Sequence, residues 1–321
     1  MSLHVVLRPI LKTLSILAAI ITARALVFIP PKTAKNIFSR NGYHLLRKHY
    51  YLPIPDEEDL RDKYWDKQSD LPGLTMNDKG ALNLLHNIFP RYMDEFRSRF
   101  SLEATNTTQF FLINGRYMAI DAHIYYAMIR HFKPKRIIEI GAGISTVLAG
   151  EACMENKLEN GQGVDLIAID PYPDEILNSN FPGLTQLIKT KVQDVDLDLF
   201  TLLNENDILF IDSSHVLREG NDVQLEYLEI LPRLKPGVLV HIHDISLPKA
   251  YPRVYFENQL YWNEQYLLQA FLAFNSRFKV IWAGNYMILN YPEQVCSVFP
   301  EYHIMRQHYP MSEPSAFWMR S

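Results

Sequence analysis

Four side chains in the second half of the chain have the types and spacing for proton transfer or metal binding: Asp212, His215, His243 and Asp244. Asp212 closes the apolar run DILFID (207–212), His215 follows three residues later, and His243-Asp244 lie near the end of GVLVHIHDI (237–245). An imidazole titrates near neutrality, so His215 or His243 suits a general base. Asp212, His243 and Asp244 offer an alternative: a divalent cation held there would lower the pKa of a bound hydroxyl. A hard ion such as Mg²⁺ prefers oxygen ligands, and the histidine tilts the set toward softer metals. Each aspartate also has a plainer role as the cap of a turn or helix after its strand. His241 shares the face of His243 and reads as a hydrogen-bonded core histidine.

A second constellation lies upstream. In Glu139-Ile-Gly141-Ala-Gly143-Ile-Ser145 the two glycines remove the Cβ atoms that would hold a ligand off the backbone. A helix starting there would aim its first N–H groups at that ligand. Nicotinamide and flavin folds share this feature. The third dinucleotide glycine is missing here, since its place falls on Thr146. Glu139 would repel a pyrophosphate but can receive the ammonium group of S-adenosylmethionine (SAM). Asp170, at the end of IAID, is placed to accept from ribose hydroxyls.

These residues need elements to hold them. RIIEI (136–140), LIAID (166–170), part of QLIKTKVQDV, DILFID and GVLVHIHDI read as short buried strands. STVLAGEACMEN and VQLEYLEILPRL read as helices between them, and the Asp121–Lys133 stretch as a helix ahead of the first strand. Strands alternating with helices predict a doubly wound α/β fold with a mainly parallel sheet and ligands at the strands' carboxyl ends. WNEQYLLQAFLAF predicts a further helix, and FKVIWAG with YMILN a terminal antiparallel hairpin.

The ordered series EIGAGIST, IAIDPYP, VQDVD, DILFIDSSH and PGVLVHIHDI resembles the motifs of class I SAM-dependent methyltransferases. It is most similar to the bacterial branch grouped with small-molecule and macrolide O-methyltransferases, over about residues 110–290. That resemblance implies a seven-stranded, Rossmann-like sheet ending in the hairpin. It implies that Glu139, Gly141 and Gly143 meet the methionine part of SAM, Asp170 the ribose, and Gln193-Asp194 the adenine. Ser145 stands where many relatives carry a third glycine. With Ser145 and Asp212, these residues make up the expected cofactor set. The acceptor would be a small-molecule or glycan-like hydroxyl. The competing functions are an NAD-dependent oxidoreductase on the same sheet and a non-catalytic, membrane-associated protein on a methyltransferase scaffold.

The net charge of −4 and the absence of a Lys/Arg run argue against nucleic acid as a partner. With only Cys153 and Cys296, no disulfide framework is expected. Along the chain the expected divisions are 1–30, an apolar helix; 31–110, a mainly helical extension or lid; 111–292, the SAM-binding domain; and 293–321, a tail. Residues 14–30 are strongly apolar but carry Arg24 and fall short of the ~20 residues of a bilayer span. A cytoplasmic protein is the expectation, with residues 5–30 either an amphipathic or buried helix resting on the membrane surface or a true anchor, and a secretory signal cleaved near Ala23-Arg24-Ala25 as a further alternative. Tyr50, Tyr51, Tyr261 and Trp262 are candidate aromatic walls for the acceptor. Asn106-Thr107-Thr108 matches a glycosylation sequon that is common by chance.

Overall fold

The computed structural model describes residues 3–46, 48, 49, 51–104, 109–178 and 181–321, so the sequon and Tyr50 lie outside the described residues. The chain divides into two compact units, Met1–Pro55 and Asp56–Ser321. In the first unit, α1 (Leu3–Ala25) runs into a short 3₁₀ turn and is followed by α2 (Pro31–Arg40), which starts on a proline. Proline suits that first position because its missing N–H has no partner there anyway.

The second unit is built on seven strands: β1 (Arg136–Ile140), β2 (Asp165–Ile169), β3 (Gln186–Ile188), β4 (Ile208–Ile211), β5 (Leu239–Ile242), β6 (Lys279–Ala283) and β7 (Phe317–Arg320). Their order across the sheet is β3-β2-β1-β4-β5-β7-β6. The first five pair in parallel, and β7 runs antiparallel to both β5 and β6. This is the mainly parallel sheet with an antiparallel C-terminal pair that the sequence led us to expect.

One expected strand is a helix instead. YMILN belongs to a helix over Gly284–Asn290, and the partner of β6 is β7, at the very end of the chain. The residues expected as a tail thus supply a strand inside the sheet. A short apolar run fits a buried helix as well as a strand, and periodicity alone does not separate them.

Both faces of the sheet are covered. On one face pack α3 (Pro90–Arg99), α4 (Asp121–Phe132) and α5 (Ile144–Asn160), with Phe89, Phe96, Tyr125, Met128, Leu148 and Phe299 fully or almost fully buried. On the other pack the turns of 222–233 and α6 (Glu264–Leu272), bringing Tyr227, Ile230 and Leu268 against Ile138, Leu209 and Val240. Alternation along each strand produces this division, since neighbouring side chains point to opposite faces.

A single row crosses the sheet through Ala168, Glu139, Phe210, His241, Trp318 and Trp282. Tyr125 of α4 lies over it, 4.8 Å from the Phe210 ring and 5.9 Å from Trp318 between centroids. His241 sits in this row fully buried and stacked on Phe210 at 4.3 Å, a core residue as expected. Neither of its ring nitrogens has a hydrogen-bond partner, and burial holds its pKa well below the usual histidine value. Cys153 is a buried free thiol in α5, and Cys296 is also free.

Trp318 locks β7 between β5 and β6. Replacing it with alanine in full-length protein should cost about 3–5 kcal/mol of unfolding free energy in denaturant titrations. A cost below about 1 kcal/mol would mean that the C-terminal strand contributes little to the core.

Candidate active site

Gly141 leaves β1 with φ +88°, and a Cβ built on it would lie 2.0 Å from the backbone carbonyl oxygen of Asp212. No side chain fits there, so the glycine lets the ends of the adjacent strands β1 and β4 close on each other. The Asp212 N–H donates to the Ile140 carbonyl at 2.8 Å across the same junction. Gly143 differs: its φ is −168°, and an added Cβ would meet nothing within 4 Å. Its N–H donates to Thr146 Oγ1 at 3.1 Å, a cap at the start of α5.

Two clefts open at the carboxyl ends of the strands. The first, of about 580 Å³, is lined by Gly141, Asp170, Tyr172, Gln193 and Asp212 among others. The second, of about 680 Å³, is lined by Arg116, Asp121, Asp212, His243, Asp244 and Tyr255 among others. Asp212 is in the wall of both.

The expected cofactor residues divide accordingly. Gly141, Asp170, Gln193 and Asp212 line the first cleft. Asp170 also accepts from the Ala142 N–H (2.9 Å) and the Tyr172 N–H (2.6 Å), so its carboxylate shapes the loop after β1. Asp194 is exposed and outside that lining. Gly143 and Ser145 belong to the start of α5 and also lie outside it. Glu139 is wholly buried beneath the loop: Tyr125 donates to Oε1 at 2.7 Å, while Oε2 has no hydrogen-bond partner. Burial pushes its carboxyl up to about 7, against the pull of the Thr146 and Tyr125 hydroxyls.

The structure brings together the expected catalytic residues Asp212, His215 and His243 with Asp244, expected as a metal ligand. His215 Nε2 lies 3.2 Å from Asp212 Oδ1 and 3.5 Å from Asp244 Oδ2. His243 Nδ1 lies 3.5 Å from Asp212 Oδ1 and 3.8 Å from Asp244 Oδ1. The ligand atoms of Asp212, His215 and Asp244 fall within 4.8 Å of one another, so His215 completes the metal-ligand spacing that the sequence had suggested for His243. His215 and Asp244 both have left-handed backbones, φ 58° and 57°, each costing about 1 kcal/mol or more for a residue with a Cβ.

Three residues that sequence reasoning did not single out complete the cluster. Glu264, fully buried at the start of α6, meets His215 Nδ1 at 2.9 Å and accepts from the Tyr227 hydroxyl at 3.1 Å. Asp121 Oδ2 lies 3.6 Å from His243 Nε2 and accepts from the Ser315 N–H at 2.8 Å. Ser315 Oγ in turn donates to Asp244 Oδ1 at 3.3 Å. Asp121 had been recognised only as a helix start, and a lone glutamate in an apolar helix gives no signal in the sequence. Burial alone would lower the pKa of both imidazoles, but the surrounding carboxylates raise both well above the usual value. Burial likewise opposes ionisation of Asp212, yet His243 and His215 hold its carboxyl well below the usual range.

The aromatic candidates separate. Trp262 packs on His215, 4.3 Å between centroids, while Tyr51 is exposed. Tyr255, not foreseen, lines the second cleft. Within 56–321, the lining of both clefts comes from residue 115 onward.

A family model described as a methyltransferase domain matches residues 138–245, from inside β1 to just past Asp244. An uncharacterized protein of Archaeoglobus fulgidus is 33% identical over 165 residues, which is 49% of this chain and 73% of that protein. Among solved structures, apo CalS11, a TDP-rhamnose 3'-O-methyltransferase of calicheamicin biosynthesis, is 13% identical, covering 64% of this chain and 80% of its own at a TM-score of 0.38. An SAH-bound Podospora anserina methyltransferase is 16% identical, covering 74% and 93% at 0.36. A Bacillus cereus O-methyltransferase in complex with SAH is 13% identical, covering 74% and 90% at 0.31.

Glu139 gives a prediction with a defined sign. Its pKa is about 7 folded against an ordinary 4.5, so the unfolded chain binds fewer protons between those values. This residue's contribution to stability therefore falls as pH rises from about 4.5 to about 7 and then levels off. Glu139→Gln lacks that dependence. Relative to wild type, it should gain roughly 2–3 kcal/mol between pH ~5 and ~8 in denaturant melts. A constant difference between the two proteins would contradict the buried-carboxyl assignment.

Proposed function

We propose that this chain, whose residues 138–245 match a methyltransferase-domain family, is a class I SAM-dependent methyltransferase that binds SAM in the cleft of Gly141, Asp170 and Gln193 and transfers the methyl group to a hydroxyl in the neighbouring cleft. The observation that carries this reading is the position of Asp212 in the wall of both clefts. Methyl transfer from a sulfonium is an in-line displacement, so donor and acceptor must meet at one boundary. The second cleft offers Arg116, Asp121, His243, Asp244, His308 and Glu313, a polar lining suited to a hydroxylated small molecule or glycan-like acceptor.

The side chains divide the work. His243 lines the acceptor cleft whereas His215 is outside both linings, so His243 is the imidazole placed to take the hydroxyl proton, once the positive charge of a bound sulfonium or cation offsets the carboxylates that hold it protonated. Asp121 and Asp212 flank its two ring nitrogens and orient the imidazole. Asp212, His215 and Asp244 fit a divalent cation, and the 2.9 Å contact from His215 Nδ1 to the buried Glu264 is the outer-shell carboxylate that metal-binding histidines use. When bound, such an ion lowers the pKa of a nearby hydroxyl. One imidazole among the donors favours Mn²⁺ or a softer ion over Mg²⁺. The catalytic unit would work in the cytoplasm, where SAM is available.

Calorimetry tests the donor. SAM should bind and NAD should not, and Asp170→Ala should weaken SAM at least about tenfold, the loss of a charge-assisted hydrogen-bond pair. Binding of NAD without SAM would overturn the reading. For the cation, Mn²⁺ titration of Glu264→Gln should show affinity about 10–100-fold below wild type. Equal affinities would remove Glu264 and His215 from the site.

A further inference from the structure

Charge is partitioned sharply along this chain. Its first 55 residues hold eight Lys or Arg and no Asp or Glu, while the other 266 hold 24 against 36. The formal charge is therefore +8 before Pro55 and −12 after it. This boundary coincides with the division between the two compact units.

The basic unit also carries the exposed apolar helix. Leu11–Phe28 has a mean hydropathy of 1.8 over 18 residues, none of it buried. Leu11, Leu14, Ile16, Leu17, Ile20 and Ile21 are each 47–60% exposed. At 100° per residue they cover well over half the circumference, which suits a helix surrounded by hydrocarbon better than one lying on a surface. Eighteen residues rise about 27 Å, close to the ~30 Å hydrocarbon core. Arg24 stands within the last turns, where its side chain can reach the headgroups. Beyond Phe28 come Lys32, Lys35, Arg40, Arg47 and Lys48, all within 20 residues, against only Arg8 before the apolar run and Lys12 in its first turn.

We propose that residues 1–55 anchor the protein in an anionic bilayer, with Leu11–Phe28 in the hydrocarbon and the following basic segment on the cytoplasmic headgroups. An excess of Lys and Arg on one flank keeps that flank cytoplasmic, and the same charges attract anionic lipid. The −12 of the remaining chain is repelled by such a surface, which confines lipid contact to the first unit. The methyltransferase reading bears only on the side chosen, because residues 56–321 then face the compartment that supplies SAM.

The test uses the full chain in a bacterial host. The protein should pellet with membranes and remain there through high-salt and alkaline-carbonate washes, with its N-terminus uncleaved. Protease should digest residues 56–321 in inverted vesicles and spare them in intact spheroplasts. Recovery in the supernatant, release by the washes, cleavage near Ala25, or digestion only from outside would overturn the proposal. In the combined variant Lys32→Glu, Lys35→Glu and Arg40→Glu, the inward-facing fraction should fall at least about twofold. An unchanged fraction would remove the basic segment from the account. SAM binding in the same vesicles reports on the proposed activity alone, so failure of the anchor and failure of the activity are told apart.

Discussion

The contact between Gly141 and the carbonyl oxygen of Asp212 fixes the geometry on which the rest of the site depends. β1 and β4 are neighbours at the centre of the sheet, and their ends meet with no room for a Cβ at residue 141. The loop from Gly141 to Thr146 therefore follows one path, held by Asp170 at Ala142 and by Thr146 at Gly143. One cleft opens beside that loop and the other beside β5, with the Asp212 side chain as their common wall. A substitution that spread the two strand ends would alter both clefts together.

Electrostatics sets this corner apart from the packed core around it. Asp121, Asp212, Asp244 and Glu264 surround the imidazoles of His215 and His243; the imidazoles, Asp121 and Glu264 are buried, and Asp212 and Asp244 are half-buried. Removing so many charges from water is costly unless they compensate one another. Here the carboxylates outnumber the imidazoles, so added positive charge is welcome, whether from a cation or from a sulfonium nearby. The left-handed backbones of His215 and Asp244 point the same way, since strain of this kind persists where the surrounding structure imposes it.

Much of this was legible in the sequence, for identifiable reasons. The five parallel strands are short apolar runs with chemistry at their carboxyl ends, so Asp170, Asp212 and His243-Asp244 could be placed by counting. His241 read correctly as core because period-two alternation puts it one step deeper than His243, although its nitrogens turn out to be unpaired. What failed was tertiary. YMILN reads as a strand but folds as a helix because packing decides the state of a short apolar run. The true seventh strand waits 33 residues beyond β6, where FWMR carries no turn signal to mark a hairpin. Glu264, Asp121 and Ser315 reach the site from three distant segments, and no spacing rule connects them. His215, with a left-handed backbone just after β4, comes to metal-ligand spacing with Asp212 and Asp244, which its place in the sequence did not signal.

The central claim is that a methyl donor and a cation-binding site meet at Asp212. A crystal of the full chain soaked with SAM and Mn²⁺, with an anomalous difference map recorded at the manganese edge, tests it most directly. The account predicts SAM density along Gly141, Asp170 and Gln193 with its methyl group toward Asp212, and an anomalous peak among Asp212, His215 and Asp244. SAM outside that cleft, or manganese bound elsewhere with none at Asp212, would contradict it.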